Sequence, residues 1–384
     1  MKLIFPRFWC LLAAAVPAAA GLTVHEWGTF TTVSGSDGRL LPGLEVEEEN
    51  LPNFVHGFPG FSPYNKAWNR PVRGVTVKME TPVIYFYSHE PATARVEVAF
   101  TAGSISQWYP ERVAGETMPP PPASGENAAP VDFSQGYRGG ATWRVDILAR
   151  DAAVPVSAPP AAETPQWPRA RVAGANRVRG PKGEVEGFIF YRGLGHFEPP
   201  LRLSCDEAGG LRLENAGPDR IPFVFVLDRR SGGTDGRVPW QGALEPGAKQ
   251  QIALASDDRS VPAQAVRQAA FPAALEAAGL TPDEARALLR TWRESYFERP
   301  GLRVFWIVPR AFTDRVLPMK ITPQPDKVER VLVGRSEVLT PAFEAELMRE
   351  FPVDGGRRWV TDRFFRVYAE RARQLGVATP PVKF

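Results

Sequence analysis

Arg95-Val96-Glu97-Val98-Ala99-Phe100 alternates polar and apolar side chains, and Trp143-Arg144-Val145-Asp146-Ile147-Leu148 repeats the alternation. A period of two marks a strand with one buried and one wet face. Working outward, Val72–Met79 and Val83–Tyr87 read as two extended runs split at Thr81-Pro82, the second rich in β-branched and aromatic residues. Phe188–Tyr191, Leu201–Leu203, Leu211–Leu213 and Pro222–Leu227 add short strands, and Gly209-Gly210 between two of them signals a hairpin. Many short strands punctuated by Gly and Pro predict a mainly antiparallel, sandwich-like body.

From Pro262 the period changes. Ala263–Ala278 reads as a helix stopped by Gly279. Thr281-Pro282-Asp283-Glu284 opens another: Thr281 can cap it, Pro282 fits its first turn and Glu284 can reach back to the cap amide. Leu302–Val308, Leu317–Ile321 and Val328–Val333 return to strand. Thr340-Pro341 starts a short helix ending near Pro352, and a last helix covers Thr361–Leu375. Strands first and helices late predict an α+β fold with helices in the C-terminal third. Residues 21–260 form the β-rich region, with proline-rich insertions at about 110–135 and 152–170 expected to be solvated. Residues 261–384 form the helix-containing region, either a separate unit or a layer on the same core.

The chain has 384 residues, 43% hydrophobic and 23% charged, which excludes wholesale disorder. Lys2 and Arg7, the apolar run Trp9–Ala20 and the small residues Ala18-Ala19-Ala20 have the pattern of a signal peptide over residues 1–20. The apolar run is shorter than the ~20 residues that a spanning helix needs. The expectation is a cleaved leader, a mature chain without a transmembrane helix, and a periplasmic or extracellular location. The net charge of +3 moves closer to neutral once Lys2 and Arg7 leave, which argues against nucleic acid as a partner. Cys10 leaves with the leader, so Cys205 remains alone, expected as a buried and inert thiol.

Short catalytic signatures for serine hydrolases, P-loop enzymes and zinc proteases are missing. Gly193-Leu194-Gly195 begins like a dinucleotide fingerprint, but Glu198 replaces the third glycine and Pro199-Pro200 forbids the helix. Three of the four histidines have a glutamate close by: His25-Glu26, His89-Glu90 and His196-Phe197-Glu198. Imidazole plus carboxylate is the ligand set of a catalytic divalent metal. His25, Glu26, His89 and His196 are therefore candidate metal ligands. Against this, adjacent residues of a strand point to opposite faces, which would keep His25 and Glu26 from one ion.

The stretch Thr23–Thr31, which contains His25-Glu26-Trp27-Gly28-Thr29-Phe30-Thr31, stands out for its density of aromatic and titratable residues. Together with Lys78-Met79-Glu80-Thr81-Pro82 and Tyr191-Arg192-Gly193-Leu194-Gly195, it resembles a group of uncharacterised exported bacterial proteins that start in this way. The resemblance implies export and brings no activity.

Asn53–Arg70 interleaves aromatic rings with Asn and Gly. Phe58, Tyr64, Trp68 and Asn69 could present a surface to a small-molecule, glycan or protein ligand, or the rings could tuck over the core. Glu45-Val46-Glu47-Glu48-Glu49 reads as a solvated face, or with Asp37 as a calcium site. Arg310 and Arg315, with Asp314 between them, and Arg192 could clamp an anion or form ion pairs. Two readings result: a ligand- or partner-binding envelope or extracellular protein, and a metal-assisted exported hydrolase or oxidoreductase.

Overall fold

The computed structural model describes residues 21–47, 49–58, 72–116, 131–157, 164–231, 236–254 and 260–377, with the backbone of 61–62 and 67–68. The leader, residues 1–20, lies outside the described residues. In chain order the principal strands are β1 (Thr23–Ser34), β2 (Val77–Met79), β3 (Val83–Tyr87), β4 (Ala92–Phe100), β5 (Gly103–Tyr109), β6 (Gly139–Ile147) and β7 (Ile189–Gly195). They continue with β8 (Leu201–Cys205), β9 (Leu211–Asn215), β10 (Ile221–Asp228), β11 (Lys249–Ile252), β12 (Leu302–Ile307), β13 (Met319–Thr322) and β14 (Lys327–Val338). The principal helices are α1 (Gln166–Arg169), α2 (Phe271–Ala277), α3 (Pro282–Thr291), α4 (Arg310–Val316), α5 (Pro341–Asp354) and α6 (Phe365–Gln374).

The alternating pair quoted first forms the heart of one sheet. β4 and β6 pair antiparallel with Val96 opposite Trp143, and β13 extends this sheet on the other side of β4. Their inward residues, Val96, Val98, Trp143 and Val145, are buried against the larger main sheet. That sheet runs β5-β7-β2-β1-β14-β12-β10, and β3 pairs with both β1 and β7. A third sheet, β8-β9-β11, contains the hairpin expected at Gly209, which has a φ of 80°. The fold is α+β: sheets pack on one face of the main sheet, and α2 and α3 cover the other through Phe271, Leu275 and Leu288. No described helix is long and apolar enough to cross a membrane.

One pairing crosses the whole chain. β1 and β14 run parallel in unbroken register from Thr23 opposite Lys327 to Ser34 opposite Val338. The C-terminal third therefore supplies a central strand, and the main core mixes Val24 and Phe30 with Leu347 and Val367.

Local signals at the helix starts reappear in the structure. Thr281 and Glu284 form a reciprocal capping box at the start of α3. Several expectations are corrected. The helix expected over 263–278 contains a π turn, Val266–Ala270, just before Pro272, which has no N–H to continue the regular ladder. α5 runs through Pro352 and ends at Gly355, whose φ of 71° is a left-handed cap. The insertion at 152–170 is not wholly solvated: Trp167 is buried between Phe188 and Phe190, at 5.3 and 5.1 Å between ring centroids. Cys205 is buried, and burial pushes its thiol up to about 11.

Candidate functional site

The segments that carry the resemblance meet on the helix-covered face of the main sheet. Thr31 of β1 lies opposite Lys78 of β2, and Lys78 lies opposite Leu194 of β7. This face changes character along its strands. Trp27 and Val331 make one end apolar, whereas Thr31, Arg335 and Glu337 make the other end ionic.

At the ionic end the chain after Leu44 drops Glu47 into the sheet. Glu47 bonds Lys78 Nζ through Oε1 and Arg192 Nη1 through Oε2 at 2.6 Å. Arg192 Nε donates to the Glu80 carbonyl at 2.7 Å, and Arg363 Nη2 donates to the Glu80 carboxylate at 2.7 Å. All five residues are buried. Glu337 binds Arg335 at 2.7 Å and Arg303 at 3.0 Å. Arg335 also lies over the Tyr296 ring at 4.5 Å, and Tyr296 donates its hydroxyl to Thr29 at 2.7 Å.

Beside this cluster lies a narrow cleft. Thr81, Val83, Phe188, Phe190 and Arg192 line it from the sheet, and Trp167 and Trp292 flank it from helical segments. Glu49–Pro52 forms a strap along it. The free volume of about 20 Å³ is the room of a single water. Trp167 is held by its indole N–H on the buried Glu186 carboxylate at 2.7 Å. Arg192 Nη2 makes no hydrogen bond among the described residues. The indole N–H of Trp292, the hydroxyl of Ser295 and the hydroxyl of Thr31 are buried without partners among those residues. Of these only Trp292 lines the cleft, so the site combines aromatic walls with the unused donors of Arg192 and Trp292.

The candidate metal ligands are not gathered. His25 projects toward α3, where Nδ1 meets both Glu284 oxygens at 3.0 and 3.1 Å. Tyr87 donates to the same carboxylate at 2.7 Å. Glu26 projects the other way, to Tyr191 and Arg330 Nε, each at 2.6 Å. His196 is exposed and bonds the Gly74 carbonyl at 2.6 Å, and His89 is exposed after β3. Strand alternation separates the first two, and no group of three or more His, Cys, Asp or Glu among the described residues could hold a metal. The fourth histidine, His56, is the one between two carboxylates: Nε2 bonds Glu184 and Nδ1 lies 3.5 Å from Glu111.

The aromatic surface expected at 53–70 is placed only in part. Phe58 is buried against Trp108 at 5.7 Å between ring centroids, so it faces the core. Trp68 is described by its backbone, paired with Phe61, and Tyr64 and Asn69 lie outside the described residues. Among the described residues, Glu45 and Glu47 of the acidic run are buried rather than solvated, and no carboxylate group is gathered to hold a metal ion. Glu45 binds Arg366 at 2.5 Å, Glu47 is in the cluster, and Asp37 binds Arg371 at 3.0 Å. Arg310 pairs with Asp314 at 2.7 Å rather than standing ready for an anion.

Three buried carboxylates make the fold acid-sensitive. Burial works to raise Glu47, Glu284 and Glu337, but it is outweighed: by Lys78 and Arg192 at Glu47, by His25 at Glu284, and by Arg303 and Arg335 at Glu337. Each is held below the usual carboxylate range. A depressed folded-state value contributes stability above the unfolded pKa, near 4.3, and loses it as pH falls through the folded value. Urea unfolding measured from pH 7 downward should show constant contributions from these groups to about pH 5 and a progressive loss below pH 4.3. A flat profile to pH 3 would contradict the ionised cluster.

No family model and no curated protein sequence matches this chain. Among solved structures, the yeast delta-COP-I mu-homology domain complexed with a Dsl1 WxWxV peptide is 9% identical. It covers 84% of this chain and 100% of its own, with a TM-score of 0.28. The same domain without peptide is 9% identical, covers 85% and 100%, and has a TM-score of 0.27. Likeness at this level carries no inference about binding or activity.

Proposed function

We propose that this chain is an exported ligand-binding protein of the envelope or the extracellular space, and that the strapped aromatic cleft is its binding site. The observation that carries the reading is Arg192 Nη2, a donor on a buried cation without a hydrogen bond among the described residues, lining a cleft flanked by Trp167, Phe190 and Trp292. Flat apolar walls with one fixed cationic donor suit a small aromatic molecule bearing a carboxylate. With about 20 Å³ free, the ligand must displace the Glu49–Pro52 strap, so binding and strap movement are coupled.

The test has two arms. Fractionation of cells expressing the full chain should place a shortened protein in the periplasm or medium. A retained, full-length cytosolic protein would end the export reading. Titration of the purified protein with benzoate, indole-3-acetate and phenylacetate, followed by tryptophan fluorescence and calorimetry, should find saturable binding. Arg192→Gln should weaken it roughly 10–100-fold, the loss of one charge-assisted hydrogen bond. Trp292→Phe keeps the ion cluster intact and should weaken binding through the lost indole donor. Saturable binding unchanged in both variants, or none with any probe, would overturn the assignment.

A further inference from the structure

Away from that cleft, a second cavity opens at the far end of β10. It has a volume of about 310 Å³ and a buried apolar floor of Phe225, Leu227 and Phe297. Among the described residues, three guanidinium groups and one carboxylate stand around it: Arg229, which is already engaged, Arg267, Arg293 and Glu298. Glu298 is already used, because it binds Arg293 Nε at 2.7 Å. Arg267, on the π turn before α2, is half-buried and makes no hydrogen bond or ion pair among the described residues.

We propose that this cavity binds a small amphiphilic anion, a carboxylate or phosphate head on an apolar body, with Arg267 as the principal head-group ligand. Three features converge on that chemistry. The floor offers apolar surface whose burial favours a hydrocarbon or aryl body. Arg267 on the rim has no partner among the described residues, and its guanidinium fork matches the oxygens of a carboxylate or a phosphate. The volume is that of roughly ten water-sized groups at about 30 Å³ each, so the body is short. Arg267 and the cleft residue Arg192 belong to different elements and line different spaces, so the proposal stands apart from the function above.

Calorimetry on the full mature chain should use four probes: octanoate, phenyl phosphate, inorganic phosphate and the neutral analogue 1-octanol. Octanoate or phenyl phosphate should saturate a site and raise the melting temperature. 1-Octanol should bind at least tenfold more weakly than octanoate, and inorganic phosphate at least tenfold more weakly than phenyl phosphate. Arg267→Gln should weaken the anion at least tenfold, and Arg267→Lys should recover part of it. Arg192→Gln should leave this binding unchanged, which separates failure here from failure of the cleft reading. The proposal is overturned if no anion binds or if Arg267→Gln binds as well as the parent.

Discussion

Glu47→Ala should destabilise the fold by about 3–5 kcal/mol in urea unfolding, the range for removing one partner of a buried ion pair. The carboxylate sits between Lys78 and Arg192, which are 0% and 2% exposed. Arg192 would keep its bond to the Glu80 carbonyl, but Lys78 would lose its direct acceptor. Lys78 is fully buried, so the desolvation of its ammonium is no longer offset by a carboxylate. The size follows from removing one charge, not from any net strength of the intact pair. Replacing both partners by apolar residues of similar volume is often close to neutral. Glu47→Leu combined with Lys78→Met should therefore be less damaging than the sum of the single changes, with a coupling of about 0.5–3 kcal/mol. A Glu47→Ala loss below 1 kcal/mol, or strict additivity, would show that the cluster is hydrated rather than buried.

That cluster also marks where sequence reading stops. Glu45-Val46-Glu47-Glu48-Glu49 looks like a wet acidic face because nothing near it in the chain is cationic. Its partners, Lys78, Arg192 and Arg366, come from segments far along the chain. Pairing at such separations is a tertiary fact without local periodicity. The strands β4 and β6 are each legible because alternation is local and declares a buried face, whereas their pairing with one another is not. The capping box at Thr281 was readable for the same reason: both halves lie within four residues. The β1–β14 pairing was not, because neither strand alternates simply when both of its faces are covered. His25 and Glu26 show the reverse error. Their adjacency suggests a shared ligand set, yet adjacency in a strand is what sends them to different layers.

The second large effect is expected where three strands meet at Gly334. This residue pairs with Phe30 on one side and Trp306 on the other. The two rings meet edge to face above it, with centroids 5.6 Å apart. A Cβ at 334 would lie 2.8 Å from Cζ2 of Trp306 and closer still to its Nε1. Trp306 is fully buried and its indole N–H bonds Ser336 at 3.3 Å, so the ring has no free direction in which to yield. Gly334→Ala should thus act as overpacking and cost about 1–3 kcal/mol. Trp306→Ala removes the ring and should cost about 3–5 kcal/mol through the cavity left behind. The double variant decides between a steric and a backbone origin for the glycine. If the ring alone excludes a Cβ, Gly334→Ala becomes nearly neutral once Trp306 is Ala, because the methyl group then fills part of the cavity. If Gly334 is needed for the backbone of β14, the two losses add within about 0.5 kcal/mol. The steric origin is favoured, since Gly334 is not among the glycines with positive φ.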